Sequence, residues 1–163
     1  MTTEEQLRRD LYAAFRNRAL LYHHLFEALR AELGDARAAE VMSRAIYARG
    51  TNIGGSFARF APADFAGLRD AFLGFVPDER RMFAPDVTRC DASGLDIKLQ
   101  RCPLKDAWRE AGLDDAEIAR LCRIAGRIDN GTFEAAGFEF SADTWQPGQD
   151  GCCHLHIRPG PRR

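Results

Sequence analysis

The spacing of apolar residues changes once along the chain, at Asp86, and this change constrains the fold more than any other feature. Before Asp86 the apolar residues recur at helical spacing, and after it two segments alternate between apolar and polar residues. Helical spacing is typical of amphipathic helices, whereas alternation is typical of half-buried strands. The sequence therefore predicts an α+β fold, with N-terminal helices packed on a small, mainly antiparallel sheet and a helix pair inserted between strands.

The N-terminal part has clear helix boundaries. Thr2 followed by Glu5 is a capping-box pattern, and Gly34 is expected to end the helix that begins there. Asp35 is expected to cap a second helix, and Gly50 to stop it. We predict two helices over this stretch.

A loose segment is predicted next, at residues 51–56, whose two glycines permit a close backbone approach or a hinge. Pro62 is then expected in the first turn of a third helix, with Phe65, Leu68 and Phe72 facing inward.

The C-terminal part mixes strands and helices. The following elements are predicted: a hairpin with one wet face from 87–90 and 95–100, a short helix at 104–111, a helix capped by Asp114 or Asp115 and reaching about Phe133, and strands at 137–140 and 152–158. At 163 residues the chain is expected to be one domain, 1–163. Its parts would be a helical half 1–85, a half 86–158 carrying the site, and a tail 159–163.

Charge and composition exclude several functional classes. The formal charge is −1, from 23 basic and 24 acidic residues, and no basic stripe suggests nucleic acid. The C-terminal Arg158, Arg162 and Arg163 are interpreted as a solvated tail. No apolar run is long enough to span a membrane, and the polar N-terminus is unlike a secretory signal.

We therefore expect a cytoplasmic protein whose five cysteines are reduced. The first helix could line the core or form a homodimer interface.

Two cysteines are candidates for chemistry. Cys102 precedes Pro103 at a strand-to-helix junction, where the free N–H groups of a first helical turn favour a thiolate, although structural packing is the alternative. Cys153 is expected to point with apolar neighbours in the last strand, whereas Cys152 is expected on the opposite face with His154 and His156. This divergence disfavours a disulfide between Cys152 and Cys153.

Three further side chains have both a structural and a functional interpretation. His154 and His156 are either ordinary solvent-facing histidines or an acid/base or metal-binding pair. Asp129 follows Cys122 by seven residues, which in one continuous helix puts it beside the apolar stripe. It either caps or bridges something local, or it serves as a site carboxylate.

A metal site is the less favoured interpretation. No paired ligand spacing typical of structural zinc is present, and zinc would require the fold to gather Cys122, Cys153, an imidazole and Asp143. Serine hydrolase, nucleotide hydrolase and dehydrogenase motifs are also missing from the sequence. No cofactor is therefore predicted.

Four segments together resemble the L-2-amino-thiazoline-4-carboxylic acid hydrolase family. They are residues 101–108 with the Cys-Pro pair, 112–113, 121–129, and 148–155 with the Cys-Cys pair. The resemblance is best over about residues 95–158. It implies a small-molecule substrate, a cyclic isothiourea bearing a carboxylate, which water opens to a carbamoyl-cysteine-type product.

The same resemblance implies roles for individual residues. Cys102 or Cys153 would be the nucleophile, and Asp129 would pair with the amidinium or serve as base. His154 or His156 would move protons. The substrate-binding candidates are Arg101, for the substrate carboxylate, and Trp145.

A broader resemblance gives an alternative function. Residues 122–126, the strand at 137–140 and Cys153 are similar to a vinyl-4-reductase-type ligand-binding domain. That resemblance implies a non-catalytic binding or sensor domain, with or without zinc. A thiol redox protein ranks last because the chain lacks C-x-x-C.

Overall fold

A computed structural model describes residues 2–161 as six α-helices and one four-stranded sheet. The helices are α1 Thr3–Leu33, α2 Asp35–Gly54, α3 Phe65–Phe75, α4 Pro103–Glu110, α5 Asp115–Ala125 and α6 Arg127–Ala136. The strands are β1 Pro85–Asp91, β2 Gly94–Leu99, β3 Glu139–Asp143 and β4 His154–Arg158. Short 3₁₀ turns lie at Ala58–Phe60 and Asp78–Arg80. The predicted α+β fold is confirmed.

The start of α1 follows the capping-box prediction. The Thr2 hydroxyl accepts a bond from the Glu5 amide, while the Glu5 carboxylate accepts one from the Thr2 amide. Gly34 ends α1 with a positive φ of 78° and is also the N-cap of α2, so Asp35 is the first residue of α2 and not its cap. The chain can reverse within one residue here because glycine adopts this conformation without a steric penalty.

The predicted end of α2 at Gly50 is wrong, because the helix continues to Gly54 and includes four of the six residues of the predicted loose segment. The reason is the packing of α2 on α6. A Cβ on Gly50 would collide with the carbonyl of Ile128, and one on Gly131 would collide with the carbonyl of Tyr47. These glycines bring two backbones together, so they lie inside helices rather than ending them.

The third helix begins later than predicted. Asp64 caps α3 by accepting a bond from the Gly67 amide at 2.9 Å, and Pro62 lies before the helix, after a cis peptide bond. Phe65 and Leu68 are buried as expected.

The strand order is β1-β2-β4-β3, and every neighbouring pair is antiparallel. The hairpin of β1 and β2 is confirmed, with an irregularity between Val87 and Arg89. Because β4 lies between β2 and β3, the C-terminal strand closes the sheet, and helices α4, α5 and α6 form the connection between β2 and β3. The predicted helix from 115 to 133 is in fact two helices, which meet at Gly126.

The sheet has one apolar face and one polar face. Leu95, Ile97, Leu155 and Ile157 are fully buried, and α3 and α6 pack against the sheet. The polar side chains between them on β2 and β4, together with Glu139, Ser141 and Asp143 of β3, form the outer face.

The interpretation of Arg158 as part of a solvated tail is wrong, because Arg158 ends β4 and donates to Asp96 Oδ1 at 2.6 Å. Arg162 and Arg163 lie outside the described residues. Of the helices that the structure describes, none combines the length and the apolar character that crossing a bilayer requires.

Candidate functional site

Four of the five cysteines lie together where the end of β2, the start of α4, α5 and the segment before β4 meet. We call Cys102, Cys122, Cys152 and Cys153 the thiol cluster. All four are free thiols, and Cys122 and Cys152 are buried. The Cys102, Cys122 and Cys153 thiols each interact with the Cys152 thiol, and the Sγ atoms of Cys152 and Cys153 are 3.7 Å apart. The fifth cysteine, Cys90 of β1, lies elsewhere, beside Arg69.

Cys102 occupies the N-cap position of α4, with Pro103 as the first helical residue. The Cys102 sulfur accepts no capping hydrogen bond from a backbone amide of α4. The Cys152 thiol nevertheless lowers the pKa of Cys102, against the effect of burial, and the amides of Lys105 and Leu104 lower it further. The Cys152 thiol and, to a smaller degree, the amides of the first helical turn therefore favour the thiolate.

Cys152 has the opposite character. Its pKa is raised, because its thiol interacts with the Cys102, Cys122 and Cys153 sulfurs and because it is buried. Of this pair, Cys152 holds its proton more tightly and Cys102 is the more easily ionised thiol.

The predicted outward orientation of Cys152 is wrong, because only 2% of the residue is exposed. The strand alternation does not extend to it: β4 begins at His154, and Gly151, with a φ of 69°, bends the chain just before Cys152. The Cys152 amide donates to Leu99 O, while the Leu99 amide donates to Cys153 O, so both cysteines lie at the end of β2. The two thiols are adjacent rather than on opposite faces.

Two lysines that the sequence interpretation missed anchor the backbone of this segment. Lys105 is only 6% exposed, and its ammonium donates to Gly151 O, while Lys98 Nζ donates to Cys152 O at 2.6 Å. The spacing in the sequence could have identified Lys105, because a residue three positions after Cys102 lies in the first turn of the same helix, α4. These contacts fix the adjacent cysteines against α4.

Asp129 lies in the first turn of α6, one turn before Phe133, whose ring stacks on Phe140 of β3. Its side chain is half-buried and has no hydrogen-bond or ion-pair partner within residues 2–161. Burial raises the pKa of Asp129 to about 7. The interpretation of Asp129 as a local cap is therefore wrong for its side chain, and an unpartnered carboxyl with this pKa suits proton transfer or the binding of a cation.

The two substrate-binding candidates differ in exposure. Trp145 is 2% exposed; its indole N–H donates to Gln149 O at 2.9 Å, and the Lys105 ammonium lies 5.2 Å from the ring centroid. Trp145 thus packs the loop before the thiol cluster against α4. Arg101 is exposed and lines a cavity of about 280 Å³ between α1 and α4, with its guanidinium 4.0 Å from Asp106.

His154 and His156 project from the outer face of the sheet, because Leu155 and Ile157 between them point into the core. His154 Nε2 lies 3.0 Å from the Thr88 hydroxyl. His156 Nδ1 lies 3.0 Å from Asp96 Oδ1, and His156 Nε2 lies 3.0 Å from Asp143 Oδ2. In the described part of the chain no hydrogen bond joins either imidazole to a thiol or to Asp129. The predicted site residues therefore lie in two groups.

The zinc ligand set considered from sequence is not brought together. Asp143 lies with the imidazoles on the outer face, whereas Cys122 faces Cys152 in the core.

Comparison with known proteins identifies the family of this chain. The family model described as L-2-amino-thiazoline-4-carboxylic acid hydrolase matches residues 14–157, and no curated protein matches the chain. The match covers the helical half and the thiol cluster alike, a wider span than the 95–158 that the sequence motifs indicated. The chain belongs to the L-2-amino-thiazoline-4-carboxylic acid hydrolase family.

Proposed function

We propose that this protein hydrolyses a small cyclic amidine or isothiourea, such as L-2-amino-thiazoline-4-carboxylate, to a carbamoyl-cysteine-type product without a cofactor. The observation that carries the proposal is the thiol pair of Cys102 and Cys152, in which one sulfur has a lowered pKa at a helix N-terminus and its neighbour keeps the proton. A thiolate is a strong nucleophile, and the amidine carbon is an electrophile. Membership of the family supports the substrate class.

The first half-reaction forms an adduct with the protein. The Cys102 thiolate attacks the amidine carbon, an S–C bond forms, and the ring C–S bond breaks. The released ring sulfur takes a proton, and an isothiourea remains on Cys102. Cys152 is the candidate donor of this proton, because its thiol interacts with that of Cys102.

The second half-reaction uses water. Water adds to the same carbon, the Cys102 S–C bond breaks, and the oxygen stays on the carbon as a carbamoyl group. One water is consumed: one of its protons goes to nitrogen, the other restores the Cys152 thiol, and Cys102 leaves as a thiolate. A general base speeds the attack by water, and a carboxylate that pairs with the amidinium holds the substrate during both steps.

Asp129 suits both of these tasks. Its carboxyl lacks a partner within residues 2–161, and with a pKa of about 7 it changes protonation near neutral pH. It lies on α6, the helix that directly follows the Cys122-bearing α5. Arg101, beside the start of α4, is the candidate for the substrate carboxylate because a guanidinium binds carboxylates with two parallel bonds.

The test is turnover of L-2-amino-thiazoline-4-carboxylate by reduced wild type and by Cys102→Ala, Cys153→Ala and Asp129→Asn. We expect Cys102→Ala to fall below detection, and Asp129→Asn to lose about 10²–10⁴-fold in kcat, the range of general acid–base catalysis. Cys90→Ala is the matched control, because it removes a thiol outside the thiol cluster.

Circular dichroism checks that each variant is folded. Loss in Cys153→Ala with retention in Cys102→Ala would transfer the nucleophile role to Cys153. No turnover by a folded, reduced wild type would contradict the named substrate and favour the non-catalytic binding domain. Loss of turnover in His154→Gln or His156→Gln would support the predicted proton-transfer role of the imidazoles.

A further inference from the structure

The outer face of the sheet brings together three metal-ligand side chains that the proposed hydrolysis does not need. One ligand atom from each of Asp143, His154 and His156 lies within 4.8 Å of the other two. The strand register fixes this arrangement, because Asp143 of β3 is paired with His154 of β4. On the other side of β4, Asp96 of β2 is paired with His156.

The hydrogen bonds of His156 determine which of its nitrogens is free. Asp96 is 9% exposed, and its Oδ1 accepts a bond from Arg158, so the position of this carboxylate is fixed. Because a carboxylate accepts, the His156 Nδ1 that lies 3.0 Å from it carries the proton. With the ring proton on Nδ1 alone, the Nε2 lone pair faces Asp143 Oδ2 at 3.0 Å. A proton or a metal ion between these two atoms would satisfy both of them.

The hydrogen bonds of His154 leave its other nitrogen free. The Thr88 hydroxyl donates to the backbone oxygen of Asp96 at 3.3 Å. Thr88 therefore accepts from His154, whose Nε2 lies 3.0 Å away and carries the ring proton. In that tautomer the Nδ1 lone pair of His154 is available as a ligand.

We propose that the Asp143 carboxylate, His154 Nδ1 and His156 Nε2 bind one divalent transition-metal ion, with Zn²⁺ as the best match. Two imidazoles and a carboxylate are a common zinc ligand set, and water would complete the tetrahedron. Asp96 orients the His156 ring and Thr88 orients the His154 ring, each through the ring nitrogen that does not bind the metal, as hydrogen-bond partners of histidine ligands do in known sites. The ion would tie the edge strand β3 to β4 on the side of the sheet opposite the apolar face.

A second potential ligand group, His23, Glu27 and Glu117, carries no such inference. Arg30 pairs with both of its carboxylates and Arg120 with Glu117, so its negative charge is already compensated. The outer-face group is different, because the exposed Asp143 has no arginine or lysine partner in the described part of the chain.

Titration of the metal-free, reduced protein with Co²⁺ and Zn²⁺ tests the proposal. We expect one ion per chain, visible d–d bands for Co²⁺ and no thiolate-to-cobalt charge-transfer band, because the proposed ligands are nitrogen and oxygen. His154→Gln, His156→Gln and Asp143→Asn should each weaken Zn²⁺ binding at least ~10-fold, and Asp96→Asn by about 10–100-fold.

Two matched controls keep the result specific. Glu139→Gln removes another exposed carboxylate from β3, and His24→Gln removes an exposed histidine from α1, so both should bind Zn²⁺ like wild type. A thiolate-to-cobalt band, or wild-type affinity in the three ligand variants, would overturn the proposal in favour of the thiol cluster. An absence of saturable binding would also overturn it and leave a proton shared between His156 and Asp143.

Discussion

Neighbouring groups of the same chemical type behave differently in this protein because their surroundings differ. Cys102 and Cys152 are neighbouring thiols, yet the pKa of Cys102 is lowered by Cys152 and by the amides at the start of α4, while the pKa of Cys152 is raised. Asp96 is buried and Asp129 is half-buried, yet Arg158 and His156 hold the pKa of Asp96 low against its burial, while Asp129 has no partner in the described part of the chain. Residue type therefore defines a candidate, and the hydrogen-bond partners define its state.

The unpartnered Asp129 makes stability depend on pH. Its pKa is about 7 in the folded protein against 3.8 for an ordinary aspartate, so the folded state binds the proton more tightly. The contribution is full below about pH 4, is lost as pH rises toward 7, and stays lost above that. We expect Asp129→Asn to remove this decline and to be more stable than wild type at pH 8 by ~1–3 kcal/mol.

Urea unfolding of both proteins at pH 5 and pH 8 checks this. The difference in unfolding free energy between wild type and variant cancels the contributions of the other titrating groups. Asp150→Asn is the control, since it removes an exposed carboxylate. An equal pH dependence in wild type and Asp129→Asn would contradict the raised pKa. Combined with lost turnover, a stabilised Asp129→Asn would show that the carboxylate is kept for function at a cost in stability.

At the scale of elements, the contact between α2 and α6 positions the site. Gly50 and Gly54 of α2 and Gly131 of α6 line this contact, where a Cβ on Gly54 would lie 2.6 Å from Thr132 O. Thr132 also donates to Gly50 O at 3.3 Å. Because Asp129 is on α6, the depth at which α6 packs decides where this carboxylate lies.

Adding a methyl group at this contact should therefore separate the helices. We expect Gly50→Ala and Gly131→Ala each to lower the free energy of unfolding by about 1–3 kcal/mol, the usual cost of overpacking, measured by urea denaturation. Gly74→Ala in α3 is the matched control, because no atom lies within 4 Å of its added Cβ. It should be neutral or stabilising by about 0.4–1 kcal/mol. Equal effects at Gly74 and Gly131 would mean that helix propensity, not the close approach, sets the result.

At the scale of the whole molecule, the two halves predicted from sequence pack on one another. The helix α1 packs on α4, where the Trp108 indole N–H donates to Ala19 O at 2.7 Å, and α2 packs on α6. Each contact joins residues before 85 to residues after it. The apolar core likewise draws on both halves.

This arrangement predicts one cooperative unfolding transition. Trp108 reports on the α1–α4 contact and Trp145 on the loop before the thiol cluster, while far-ultraviolet circular dichroism reports on the helices. We expect the fluorescence transitions of wild type and of Trp145→Phe each to coincide with the circular dichroism transition of the same protein in urea. Separate midpoints would divide the chain near residue 85 and contradict the single domain.

Leu7, Leu21, Leu25 and Leu33 of α1 are exposed. These side chains could form the predicted homodimer interface, which stays a prediction.

The sequence by itself determined the helices and strands and the fold class. The spacing of apolar residues, the helix caps and the Cys-Pro pair all act over a few residues. It thus predicted α1, the β1–β2 hairpin and the position of Cys102 at the start of α4. It also named Asp129, but from a continuous helix that in fact breaks at Gly126.

Only the tertiary structure decided which candidates meet. Cys152 turns inward because its backbone pairs with Leu99, a residue 53 positions away, and α2 continues through Gly50 because α6 lies against it. The same long-range pairing separates His154 and His156 from the thiols by placing them on the other face of the sheet. Such contacts join distant parts of the chain, so a local pattern does not contain them.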